Sequence, residues 1–139
     1  MRFTRLTSSA YIPTKRKPGA AGFDICSPRY YIIPACTSTL IPIDLAISLP
    51  EGSYGRIFPQ SSLNLKHSII TEAGVIESDF RANLSIMLFN LSLKPFNIVS
   101  GQKICQLIIQ KVYTSPLEQC MSLNDTFRGT ECFGSTTNE

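Results

Sequence analysis

Asn83-Leu-Ser-Ile-Met-Leu-Phe89 is the stretch on which the fold turns. It begins in strict alternation, with Leu84, Ile86 and Leu88 on one face of an extended chain. A helix would instead need apolar residues three and four apart. Met87 and Phe89 make the other face apolar too, which predicts a strand covered on both sides by a second layer or a neighbouring subunit. Further segments of β character flank it: Arg29 to Ile33, Thr37 to Ile43, Ala46 to Leu49, Ser53 to Phe58, Phe96 to Val99 and Lys103 to Val112. They recur about every 8 to 12 residues between turn residues such as Pro18-Gly19 and Pro50-Glu-Gly52, the pattern of an all-β sandwich or barrel. Helical signals are weak, the best being Ser61 to Lys66 with Ser61 or Ser62 as a cap.

The chain has 139 residues, 43% of them hydrophobic and 17% charged, with a formal net charge of +3. That is the size of one domain, large enough to build a core without disulfides or a structural metal, and too apolar for a disordered chain. No apolar run approaches the roughly 18 residues of a membrane span. Ile104 to Ile109, among the longest, is broken by Gln106. Met1 to Ser9 lacks the apolar region of a secretory signal, so the expectation is a soluble intracellular protein, cytoplasmic or nuclear, with no membrane partner. The cysteines, Cys26, Cys36, Cys105, Cys120 and Cys132, are odd in number and form no C-x-x-C pair, which argues against a metal or disulfide framework. With His67 as the single histidine there is no His/Cys zinc set, and a triad hydrolase would have no other base. His67 reads better as a surface or structural residue. Lys15-Arg16-Lys17 reads as a solvated loop, and without a basic stripe interleaved with aromatics no nucleic-acid partner is expected.

Three stretches carry chemistry. Gly19-Ala-Ala-Gly-Phe-Asp24 puts a carboxylate directly after a small-residue turn, where backbone can approach a ligand closely; read alone it is better taken as a tight turn before a strand. Gly74-Val-Ile-Glu-Ser-Asp-Phe-Arg81 packs two acids, an aromatic and an arginine between two strands, as the solvated tip of a hairpin also would. Arg128-Gly-Thr-Glu-Cys-Phe-Gly-Ser-Thr136 offers an arginine, hydroxyls and glycine-freed N–H groups suited to phosphate oxygens, and one phenylalanine suited to a base or sugar. The residues from 124 to 139 cannot pack a core by themselves, and are either a disordered end or an arm that orders on closing over something.

Together with Gly55-Arg-Ile-Phe-Pro-Gln-Ser-Ser-Leu63 and Gly101-Gln-Lys-Ile-Cys-Gln-Leu-Ile108, these stretches resemble, in order and spacing, the five motifs of the trimeric dUTP pyrophosphatases (dUTPases). The resemblance implies a homotrimer of jelly-roll-like β-barrel subunits. Residues 1–123 would be the barrel and 124–139 a C-terminal arm carrying the fifth motif. Each active site would take motifs from two chains and be closed by the arm of the third. It further implies hydrolysis of dUTP to dUMP and pyrophosphate by water attack on the α-phosphorus, with Mg²⁺ orienting the phosphates.

The roles carry over position by position. Asp24 would sit near the metal-bound waters, an indirect metal contact. Gln60, Ser61, Ser62 and Gln106 would meet the triphosphate. Gly74, Val75 and Ile76 would read the uracil edge through main-chain groups and leave no room for a thymine methyl. Phe80 would lie under the deoxyribose, with Arg81 beside it in the same motif. Arg128 would bind the γ-phosphate, Phe133 would stack on uracil beside Gly134, and Ser135 and Thr136 would donate to phosphates. Glu77 would align the attacking water.

The sequence also departs from the family pattern. The family has aspartate where Glu77 stands, and the extra methylene displaces the carboxylate by about an ångström, a misplacement that can cost around a hundredfold in rate. Gln60 replaces an arginine, Gln102 an aspartate and Phe80 a tyrosine, while Glu131-Cys132 replaces two glycines of the arm. A working dUTPase of reduced activity is the first reading. An impaired dUTPase-fold protein that binds a nucleotide or a protein partner is the alternative.

Overall fold

The computed structural model describes residues 1–130. Its elements are β1 (Arg2–Arg5), β2 (Phe23–Cys26), β3 (Tyr31–Ile33), β4 (Ser38–Pro42), β5 (Leu45–Ser48), β6 (Ser53–Pro59), α1 (Ser61–His67), β7 (Ile69–Glu72), β8 (Val75–Ile76), β9 (Ser85–Asn90), β10 (Phe96–Ile98) and β11 (Lys103–Lys111). The expected all-β class is what is found. The strands pair antiparallel in the orders β1-β5, β10-β3, β2-β11-β6-β8 and β4-β9-β7. These four ladders are in keeping with a jelly-roll-like arrangement and do not join into one continuous closed barrel.

Alternation decides which side chains enter the core. On β9, Ile86 and Leu88 are buried while Ser85, Met87 and Phe89 are half-covered, so the second apolar face is only partly closed within one protomer. Isoleucine dominates the interior: Ile25, Ile33, Ile41, Ile43, Ile98 and Ile104 are all buried. Its branched side chain suits a pleated surface packed on one side.

Seven of the strands fall where alternation placed them, trimmed by one or two residues at some ends. β1, β2, β7 and β8 were not expected. Their residues run from two to four per strand, and β1 exposes all four of its side chains, so none offers a legible apolar period. The helix is as expected except for its cap. Gln60, not a serine, is the N-cap and makes no side-chain capping bond, so Ser61 and Ser62 lie inside the first turn.

One polar network around the buried Asp44 ties four segments together. The Arg29 Nη2 lies 2.5 Å from Asp44 Oδ2, Thr7 donates to the same oxygen at 2.9 Å, and Asn83 donates to Oδ1 at 3.4 Å. Asp44 has φ 61°, a left-handed backbone that aspartate tolerates better than most residues. The Arg29 guanidinium holds the Asp44 carboxyl below the usual carboxylate range despite its burial. Residues 112–130 follow β11 exposed, without strand or helix.

Candidate active site

Asp24 lies on β2 opposite Gln106 of β11, and only 5% of it is exposed. Lys103 Nζ donates to its Oδ2 at 2.6 Å, and Gln60 Nε2 to its Oδ1 at 3.3 Å. Both carboxylate oxygens are thereby engaged. Lys103 reaches Asp24 because β11 shifts register between Lys103 and Cys105. Strict alternation would put Lys103 and Gln106 on opposite faces, and the extra residue of a bulge turns both to the same side.

That side is a cleft of about 840 Å³. Its walls include Arg16, Lys17, Ser61, Ser62, Lys103 and Gln106, with Asp24 as the one carboxylate among the lining residues. With Gln60 also in the wall, three cations, two hydroxyls and two amides around a single acid suit a polyanion. The first N–H groups of a helix have no acceptor within it, and Ser61 and Ser62 bring theirs to the same wall. Cys105, buried under the cleft, has its thiol pushed up by burial and is no nucleophile.

The segment joining β7 to β8 borders a smaller neighbour of about 350 Å³, lined by Arg56, Phe58, Thr71, Gly74 and Val75. It is not the expected hairpin, since β7 pairs with β9 and β8 with β6, and the chain crosses between two sheets at Gly74. Pro59 lines both clefts. Gly74 is required by close approach: its carbonyl accepts from the Ile57 N–H at 2.8 Å, and a Cβ there would stand 2.9 Å from the Ile57 oxygen. Ile76 buries its side chain while Val75 is 58% exposed. Gly22 also needs its small size, for a reason other than the one expected. A Cβ on it would lie 2.6 Å from the Leu107 oxygen, so the close approach serves the packing of β11 and not a ligand.

Other expected residues lie elsewhere on the protomer. Glu77 is exposed just beyond β8, and its carbonyl accepts from the Phe80 N–H at 3.2 Å, closing a turn. Phe80 packs half-buried against the core. Arg81 donates to the Ser78 and Phe80 carbonyls at 2.8 and 2.7 Å and lines a cleft with Arg2, Phe3 and Ile47 of the β1–β5 ladder. Arg128 is exposed in the segment after β11. Glu131, Cys132, Phe133, Gly134, Ser135 and Thr136 lie outside the described residues. His67 stacks on Phe96 with ring centroids 4.8 Å apart and does not line the Asp24 cleft.

One protomer thus gathers Asp24, Gln60, Ser61, Ser62 and Gln106, sets Gly74 and Val75 next to them, and leaves Glu77, Phe80, Arg81 and Arg128 apart. Sequence reasoning missed Lys103 and took Arg16 and Lys17 for loop residues with no role. A signal existed for Lys103: alternation assigns it to the face of Cys105 and Leu107, both buried, and a lysine there marks a bulge.

The sequence profile of the dUTPase family matches residues 8–137. The chain belongs to the dUTPase family.

Among individual dUTPases, the deoxyuridine 5'-triphosphate nucleotidohydrolase of cowpox virus is 43% identical over 136 residues, covering 98% of this chain and 92% of the viral one. The human mitochondrial deoxyuridine 5'-triphosphate nucleotidohydrolase is 40% identical over 136 residues, and this chain spans about half of its length, 54%. A mutant of the Staphylococcus bacteriophage 80alpha dUTPase solved with dUpNHpp superposes with a TM-score of 0.93 at 25% identity, over 99% of this chain and 98% of that one. A mutant dUTPase of phage phi11, whose structure details a coordinated structural Mg(II) ion, superposes with a TM-score of 0.84 at 23% identity over 89% of this chain and 98% of that one.

The donor set sets limits on how this chain could hold a metal. Among the described residues no cluster of three or more His, Cys, Asp or Glu side chains could form a metal site. Mg²⁺, however, is commonly held by one or two carboxylates plus substrate phosphates, with several waters retained. One buried aspartate in a cation-lined cleft fits an ion that arrives with its phosphates. It does not fit a site built by protein alone.

Proposed function

We propose that the chain is a dUTP diphosphatase that converts dUTP to dUMP and pyrophosphate. The observation that carries this reading is the Asp24 cleft, rich in cations and hydroxyls. The triphosphate lies in it, and uracil lies against residues 74–76 of the neighbouring copy that also supplies Glu77 and Phe80. Ser61, Ser62 and Gln106 donate to phosphate oxygens. The main chain of Gly74, Val75 and Ile76 pairs with the uracil edge, and Phe80 lies under the deoxyribose.

Glu77 accepts the proton of the attacking water at its carboxylate, so that the water reaches the α-phosphorus in line with the departing pyrophosphate. When bound, Mg²⁺ neutralises phosphate charge, and Asp24 holds it through water. Arg81 shapes the turn that carries Glu77 through its two bonds to backbone carbonyls.

The working unit is a homotrimer, since Glu77, Phe80 and Arg128 do not face the Asp24 cleft of their own protomer. Residues 1–123 form the folded body and 124–139 an arm that brings Arg128, Phe133, Gly134, Ser135 and Thr136 over a bound nucleotide. The protein works inside the cell. No helix among the described residues is long and apolar enough to cross a membrane.

Pyrophosphate release from dUTP, dTTP, dCTP and UTP, with and without Mg²⁺, tests the reading. Turnover of dUTP in preference to the other three, dependent on Mg²⁺, is expected. No turnover of dUTP by micromolar protein would leave only the binding alternative.

A further inference from the structure

We propose that Lys103 is a phosphate-binding residue of this chain, held on Asp24 in the free protein and passed to a phosphate oxygen when the metal and triphosphate enter. The inference rests on the proposed function and concerns how this cleft replaces the charge missing at Gln60.

The ammonium of Lys103 is anchored 2.6 Å from an almost fully buried carboxylate, yet its own side chain is 45% exposed toward the cleft. An ammonium carries three donors, and Asp24 is its one bonded partner among the described residues, so two N–H groups remain for a ligand. Gln60, at the position where the family pattern has an arginine, spends its amide on Asp24 Oδ1. Arg16 and Lys17 stand on an exposed loop at the rim. Lys103 is therefore the cation held by an ion pair in the cleft that Gln106, Ser61 and Ser62 also line.

The same geometry makes Lys103 and a hydrated metal rivals for Asp24. Each carboxylate oxygen already accepts one hydrogen bond, so a metal-bound water shares Asp24 with Lys103 and Gln60 and weakens the hold of the carboxylate on the ammonium. The lysine stem is long and flexible, and its charge gains a new partner in the incoming phosphate. Exchange keeps every charge in the cleft paired, with Asp24 turned to the metal's water shell and Lys103 to the phosphate.

The test is calorimetric binding of dUpNHpp, and separately of inorganic tripolyphosphate, to the full chain and to Lys103→Gln and Lys103→Arg, with and without Mg²⁺. Melting curves establish that each variant is folded. Lys103→Gln should bind both probes at least about tenfold more weakly, the scale of one charged hydrogen bond. Its affinity should also fall less steeply with added salt, and Lys103→Arg should recover most of the loss. Wild-type affinity for both probes in folded Lys103→Gln would overturn the proposal while leaving the dUTP reading intact. Binding of tripolyphosphate but not of dUpNHpp, with the Lys103→Gln loss present, would do the reverse. A loss in Lys103→Gln with unchanged salt dependence and no recovery in Lys103→Arg would also overturn it, since packing alone would explain that result.

Discussion

At the residue scale, the proposed function rests on two carboxylates in opposite settings. Asp24 is buried and paired on both oxygens, whereas Glu77 is exposed and free to meet a water supplied with the substrate. If Glu77 is the base, Glu77→Gln should abolish pyrophosphate release from dUTP while dUpNHpp still binds; unchanged activity would dismiss it. Shortening the side chain separates distance from charge. Glu77→Asp restores the family residue and should raise kcat, by up to roughly a hundredfold if the backbone has not already compensated for the extra methylene. A third carboxylate, Asp44, serves stability. Its native pKa is depressed chiefly by the Arg29 hydrogen bond. The unfolded chain therefore binds a proton at a pH where the native protein does not. Its stabilising contribution is complete above the ordinary aspartate value of about 4 and is lost as pH falls through the lower native value. Melting temperature followed into acid should show a drop that Asp44→Asn flattens, since asparagine tolerates the same left-handed backbone.

At the element scale, β11 organises the site. It pairs with β2 on one side and β6 on the other, so it aligns Asp24 with Gln106 and sets Pro59 opposite Cys105. The β2–β11 pairing has no room to spare at Gly22. Gly22→Ala should cost about 1 to 3 kcal/mol, measured by denaturant titration, because the added methyl meets β11 backbone that cannot move aside. A wild-type midpoint would mean that the strands can separate there without cost. The same strands show what was legible in the sequence. The core strands declared themselves because their alternation is long enough to read, as with Leu84, Ile86 and Leu88. β2, β7 and β8 did not, since so few residues carry no resolvable period and glycine supplies the geometry beside them. The bulge in β11 was hidden for a different reason. It is a register event between strands, and one strand's sequence shows only its by-product, a lysine out of phase.

At the scale of the whole molecule, three of the stretches that revealed the family meet at the Asp24 cleft of one protomer, while Glu77 and Phe80 of a further stretch do not line it. Their order along the chain was readable because each has its own composition, and the Asp24, Ser61 and Gln106 set is close-grouped by strand pairing. What no single-chain pattern could supply is the position of Glu77 and Phe80 relative to that cleft, which on the proposed reading depends on a neighbouring copy. Sedimentation analysis should therefore give three times the 15.4 kDa chain mass. A monomer that turns over dUTP would show that the partition of the site between copies is wrong. The half-covered Met87 and Phe89 face of β9 is the surface left for such packing. The central claim is the hydrolysis itself, at the α-phosphorus of dUTP. Mass spectrometry of the products formed in ¹⁸O-labelled water reads it directly: dUMP should carry one ¹⁸O atom and pyrophosphate none, whereas label in pyrophosphate, or no product from micromolar protein, would contradict it.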